Sequence, residues 1–149
     1  PNPARDNLEF RTNSGKANFI FNPISYLQPQ KDELIMMTIR SHDQYNTTIY
    51  SDQDRYRGIK SGRRIVMMNP HDSKERRMRT GDKVDLISNF NGELRKSEKW
   101  YIVEYDIPKG NIATYFPEAN ELIPLQSTAR GSNTPTSKSV IVKVEKHQD

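Results

Sequence analysis

Short apolar runs bounded by charge, rather than long amphipathic stretches, set the pattern of this sequence. ELIMMTIR (Glu33–Arg40) and RIVMMNP (Arg64–Pro70) are brief, apolar and closed by polar residues, so both read as buried strands. KVDLIS (Lys83–Ser88) alternates apolar and polar positions, the period of a half-buried strand. Asn91-Gly92 follows it, a strong short-range hairpin signal, and predicts a return strand through EKWYIVEY (Glu98–Tyr105). A turn at Pro108–Gly110 leads into a further strand in IPKGNIATYF, and SVIVKV (Ser139–Val144) forms the last one. HDSKERRMRTGD predicts a short helical turn, capped by Asp72 or Ser73 and stopped by Gly81. Short strands with one or two brief helices and no repeat predict a mainly β domain, a barrel.

The flanks carry less pattern. Residues 1–32 show a turn at Asn13–Gly15 and a short FIF run, then SYLQPQKDE as a connector. They read as a lead-in packing on a barrel that spans residues 33–149. Residues 117–139 are irregular, rich in Pro, Asn, Ser and Thr. A chain of 149 residues fits one domain with a real core. It opens on Pro1-Asn2-Pro3 rather than Met, as a piece of a longer protein would.

Composition removes whole classes of chemistry. With no Cys there is no disulfide, thiolate metal site or thiol nucleophile in this segment, and a reducing compartment fits. No apolar run nears the roughly 20 residues of a membrane span. The balance of 23 Lys+Arg against 19 Asp+Glu gives +4, mildly basic, which does not by itself choose an anionic partner.

Candidate chemistry is sparse. His42, His71 and His147 are far apart, and none sits at a metal-ligand spacing. His71 reads as loop and His147 as tail. His42 beside Asp43 looks like a pair, but neighbours on an extended strand face opposite ways, so both read as solvated. No nucleophile elbow, Walker loop or GxGxxG occurs, so autonomous catalysis lacks support. The basic clusters Arg55–Arg64 and Lys74–Arg79 read as solvated connectors. A single-strand nucleic-acid groove, or a partner-binding module, is the alternative reading.

One stretch is different. From Arg40 to Thr48, nearly every side chain can donate or accept a hydrogen bond. Arg40 offers a fork for phosphate or carboxylate; Gln44 and Asn46 offer amides; Ser41, Thr47 and Thr48 offer hydroxyls; Tyr45 adds a stacking face. A second polar cluster, TARGSNTPTSK (Thr128–Lys138), precedes the last strand. Residues alone leave two readings open, a wet loop or the grip on a highly polar ligand.

The order of several motifs resembles a known family. FRTNSGKANF, TIRSHDQYNTTIYSDQDRYRGI, GRRIVMMNPHD, RTGDKVDLIS, YFPEANELIP and SNTPTSKSV are similar, over about Phe10–Val144, to the C-terminal dinucleotide-binding domain of the molybdopterin oxidoreductases, formate-dehydrogenase-like alpha subunits in particular. The resemblance implies a double-psi β-barrel (aspartate-decarboxylase-like). It implies a fragment of a larger cytoplasmic enzyme that holds and shields a bis-molybdopterin guanine dinucleotide cofactor with molybdenum. Arg40, Ser41, Gln44, Tyr45, Asn46 and Thr47 fall on the family's cofactor-contact segment, and Asn120, Asn133 and Lys138 on its C-terminal contact elements. The metal ligand and any iron–sulfur cysteines belong to upstream domains, the expected partners, so the segment alone is expected to be inactive. The resemblance calls for neither membrane nor nucleic acid. Pro124 stands where many relatives keep a Thr.

Overall fold

The computed structural model describes residues 2–60 and 62–148. Six strands close into a barrel: β1 (Glu33–Ile39), β4 (Ile65–Met68), β5 (Lys83–Phe90), β6 (Glu93–Glu104), β7 (Asn111–Tyr115) and β8 (Val140–Lys146), in the ring order β1-β7-β4-β6-β5-β8. Two tiny strands, β2 (Gln44–Tyr45) and β3 (Thr48–Ile49), form a separate hairpin. Two helices are present among the described residues, α1 (Pro3–Asp6) and α2 (Pro70–Glu75), with 3-10 turns at Arg55–Arg57 and Glu118–Leu122.

The ring is mixed. β1 runs parallel to β7 and antiparallel to β8, while β4 runs parallel to β6 and antiparallel to β7. Each parallel pair needs a long crossing connection, and two such crossings in one closed six-strand ring give the double-psi arrangement. Closure removes free sheet edges from the ring.

Side-chain alternation accounts for the core. Leu34 and Met36 of β1, Val66 and Met68 of β4, and Val142 of β8 point inward with Leu86, Trp100, Ile102 and Ile112. Ile65, Met67, Ala113 and Tyr115 point outward into a second cluster, closed by Ile59. Hence β4 is buried on both faces, as its unbroken apolar run requires. Asn91 and Gly92 both take positive φ, 53° and 86°, so the β5–β6 turn is the mirror-image type that Asn-Gly favours. The return strand therefore starts at Glu93, five residues before the expected Glu98.

Three local readings are corrected. The cap of α2 is Asn69, not Asp72 or Ser73: its side chain accepts from the His71 N–H, Pro70 follows as the first helical residue, and the helix ends by Arg76, well before Gly81. His71 thus lies inside α2 rather than ahead of it. His147 is not a loose tail, since its ring is largely buried and its Nδ1 lies 2.8 Å from Asp85. Asp85 also accepts from the Lys99 N–H and pairs with Lys96, anchoring the end of β8.

Residues 17–30 carry no regular structure, and Phe19, Ile20, Phe21, Ile24 and Tyr26 are exposed. Asp32, at the end of this segment, pairs with Lys143 of β8 at 2.6 Å.

Candidate functional site

At the C-terminal end of β1 the barrel interior turns polar. Thr38 follows Leu34 and Met36 on the inward face and is buried, and its register partner Thr114 on β7 is buried as well. The Thr114 hydroxyl has no protein hydrogen-bond partner. Beyond Thr38 the chain leaves the sheet and enters the polar run.

Backbone geometry folds that run into a compact hairpin. Asn46 takes φ 53°, a left-handed conformation that Asn tolerates, and it reverses the chain between β2 and β3. The Tyr50 N–H bonds to the Asp43 carbonyl and closes the base. Tyr45, Asn46 and Thr47 project to solvent, with Tyr45 77% exposed. Arg40 is exposed too; its Nη2 donates to Asn46 Oδ1 at 3.1 Å, and its guanidinium lies 5.9 Å from the Phe116 ring centroid.

Ser41 and Gln44 turn the other way. The Gln44 amide is used at both ends: Oε1 accepts from the Ser41 N–H at 3.3 Å, while Nε2 donates to the carbonyls of Asn46 and Phe116, both at 2.8 Å. Ser41 is buried. Both residues meet Arg63, which belongs to a basic cluster whose sequence predicts a solvated connector. Arg63 is instead 7% exposed. Its Nη1 donates to Ser41 Oγ at 2.7 Å, and its Nη2 to Gln44 Oε1 at 2.8 Å and to the Phe116 carbonyl at 2.9 Å. Its Nε donates to Glu118 at 2.5 Å, and the guanidinium stacks 4.8 Å from the centre of Tyr115. A bidentate carboxylate partner and a ring face suit a planar cation that must be buried.

A second ionic knot lies beside the first. Asp54, 1% exposed, accepts from Tyr115 Oη at 2.8 Å and Arg57 Nη1 at 2.5 Å, and it faces His42 Nδ1 at 3.0 Å. His42 therefore pairs with Asp54, not with Asp43, and its ring packs on Tyr56. Burial works against the Asp54 charge, but the hydrogen bonds from Tyr115, Arg57 and His42 outweigh it and hold the carboxyl at about 2. The same contacts, with burial foremost, push the Tyr115 phenol up. Arg57 also donates to the Arg40 carbonyl, so this knot fixes the point where the hairpin starts.

The distant polar cluster arrives at the same place. The Thr38 N–H bonds to the Ser137 carbonyl at 2.9 Å, and Lys138 donates to the Thr38 carbonyl. Loss of hydration lowers the Lys138 ammonium from its ordinary value, and the charge of Arg40 lowers it further. Arg40 and Lys138 thus sense one another, and among the described residues neither has a carboxylate within ion-pair distance. Asn120 is exposed on the 3-10 turn that carries Glu118. Asn133 is exposed with φ 55°, on a loop whose ends meet at Thr128 and Pro135.

Of the arginines from 55 to 64, Arg57, Arg63 and Arg64 are engaged within the molecule, the last with Glu121 and over Trp100. Arg55 leans on Tyr56. A concavity of about 740 Å³ on this flank is lined by Lys60, Arg63, Lys99 and Tyr101 among others. Among the described residues no cluster of His or carboxylate side chains could hold a metal.

Comparison with known proteins agrees with this architecture. Residues 34–141 match the family described as Molydopterin dinucleotide binding domain. The chain is 48% identical over 150 residues to an uncharacterized oxidoreductase of Mycobacterium tuberculosis, covering 97% of this chain and 19% of that protein. It is 38% identical over 140 residues to protein YdeP of Escherichia coli K12, covering 90% and 18%. Acetylene hydratase from Pelobacter acetylenicus shares the fold with a TM-score of 0.55 at 11% identity, over 76% of this chain and 18% of that one. The chain thus spans about a fifth of the length of the curated relatives it matches.

Proposed function

The chain belongs to the family of molydopterin dinucleotide binding domains, and we propose that it grips the phosphorylated nucleotide arm of a molybdopterin cofactor at the mouth shared by Arg40 and Lys138. The observation that carries this reading is the meeting of those two cations, from segments far apart in the chain, with no carboxylate to neutralise either among the described residues. Two like charges held together cost free energy that a bound anion repays. Charge-assisted bonds to phosphate are the strong kind, and Arg supplies them in a planar fork.

The residues present fit such a group. Thr47 and the exposed amides of Asn46, Asn120 and Asn133 offer donors and acceptors for base and pterin edges. Tyr45 offers a ring face. The buried, unpartnered hydroxyl of Thr114 leaves one more polar group beneath the mouth. Ser41 and Gln44 take a different part: their polar atoms are spent inside the protein, and they shape the hairpin rather than touch the ligand.

When bound, the cofactor supplies a metal centre for redox chemistry. This chain's residues bind and orient the nucleotide end and keep water from it. We read the longer polypeptide as an oxidoreductase of formate-dehydrogenase-like type, in which the guanine dinucleotide form of the cofactor lies between this barrel and the other domains.

Isothermal titration of the chain with guanosine diphosphate tests the site. Binding is expected, with affinity falling at least tenfold, about 1.4 kcal/mol, in the double variant Arg40→Ala/Lys138→Ala. Equal affinity in parent and double variant would refute the placement.

A further inference from the structure

We infer that Arg63 is the positioning residue of this site: its guanidinium, ion-paired to Glu118, welds the 40–50 hairpin to the 116–122 turn and keeps both in their receiving shape before any ligand arrives. The inference rests on the ligand reading above and adds a role to a residue that no ligand need touch.

The geometry points one way. Arg63 is buried, and every polar group it meets belongs to one of two segments. Ser41 Oγ and Gln44 Oε1 belong to the hairpin side; the Phe116 carbonyl and the Glu118 carboxylate belong to the turn side. Gln44 completes the weld by donating to the same Phe116 carbonyl. Those segments are separated by more than fifty residues, the Arg63–Phe116 and Arg63–Glu118 bonds alone bridging 53 and 55 positions. Apart from these bonds, the hairpin has its own two-residue ladder, too short for independent stability, the Tyr50–Asp43 backbone bond at its base, and the Asp54, Arg57 and His42 knot at its start. Arg40 and Asn46 are carried by the hairpin, and Asn120 by the turn. The Phe116 N–H to Ile39 carbonyl bond fixes where the two segments start, and beyond it their mutual placement runs through the Arg63 guanidinium together with Gln44.

The polarity of the arrangement matters as well. Glu118 neutralises Arg63 at 2.5 Å, so Arg63 is already paired and adds no free cation to the mouth. Arg40 and Lys138 keep that task. A preorganised receptor lowers the ordering cost of binding, so loss of the weld appears as lost affinity even though no ligand contact is removed.

The test compares Arg63→Met with the parent chain by amide hydrogen exchange and by titration with guanosine diphosphate. Expected are faster exchange confined to residues 41–50 and 116–122, unchanged protection in β5 and β6, and a dissociation constant roughly tenfold higher. Arg63→Lys, which keeps the charge but not the fork, is expected to fall between parent and Met. Should Arg63→Met fail to fold, Glu118→Gln tests the same weld with the arginine in place, and local loosening with weaker binding is again expected. Unchanged hairpin exchange and affinity would overturn the inference. Exchange raised evenly around the barrel would overturn it too, because Arg63 would then be a general stability residue. If the parent fails to bind guanosine diphosphate, the ligand reading falls, and the hairpin exchange alone still decides the weld.

Discussion

Lys138 donates from its side-chain ammonium to the carbonyl of Thr38, exactly one hundred positions earlier in the chain. That bond brings the loop before the last strand onto the end of the first. It places Lys138 within electrostatic reach of Arg40, which follows Thr38 by two residues.

Arg40 should matter little to folding. It is exposed, and surface substitutions away from special features stay within about 0.5 kcal/mol, whereas Lys138→Ala also removes the donor to the Thr38 carbonyl, at about 1 kcal/mol. Arg40→Ala is expected to unfold in urea at the parent midpoint and Lys138→Ala slightly earlier, while both bind guanosine diphosphate more weakly. Titration in rising salt should show the parent losing affinity faster than either variant.

Asp54 should give the barrel an acid-sensitive component. Its folded value, about 2, lies below the ordinary 3.8, so its contribution is complete above the unfolded value and is lost as pH falls from about 4 to 2. The depression corresponds to about 2 kcal/mol. Asp54→Asn is expected to be less stable at pH 7, with a smaller drop between pH 5 and pH 2 than the parent. Urea midpoints across that range measure both.

The inner core should behave as a packed interior. Leu86 is fully buried among Val84, Trp100 and Val142. Leu86→Ala is expected to cost about 3 kcal/mol, seen as an earlier urea midpoint with the slope unchanged.

Gly92 has open space around its α-carbon, so an added methyl would meet nothing within 4 Å, but its φ is 86°. Gly92→Ala is expected to cost about 1 kcal/mol through backbone conformation alone. A lower melting temperature with unchanged guanosine diphosphate affinity would separate this turn from the mouth.

Single-stranded nucleic acid should bind poorly. Three of the four arginines in the Arg55–Arg64 cluster are committed to Asp54, Glu118 and Glu121. Filter binding at physiological salt should retain little oligonucleotide. Tight, steeply salt-dependent retention would contradict this.

Strands were legible because short-range pattern fixes them. The buried run of β4, the alternation of β5 and the Asn-Gly turn each carry their meaning within a few residues, whereas β1, apolar throughout, buries alternate positions and leaves Met37 exposed. The polar hairpin could be seen as dense in donors, but not which donors look outward. That division depends on Arg63, whose partners lie 19 to 55 positions away. A basic, glycine-bearing loop looks the same whether its arginines are wet or buried. Asp54 was hidden for the same reason, since Tyr115 approaches it from 61 positions downstream. Asn69-Pro70 both closes β4 and starts α2, and in isolation Asp72 and Ser73 are equally good capping residues, so only the tertiary fold selects Asn69. Nothing local distinguishes FIF, which is exposed, from a strand of equal apolarity.

The seam between β1 and β8 has a temporal meaning. Leu34 faces Val142 across it, so the ring shuts only when β8 has been made and has found β1. A ribosome that has just released the Arg40 hairpin has made one side of the proposed mouth. The other side, with Lys138, emerges about a hundred residues later, so Arg40 and Lys138 can come together only once nearly the whole barrel has been made.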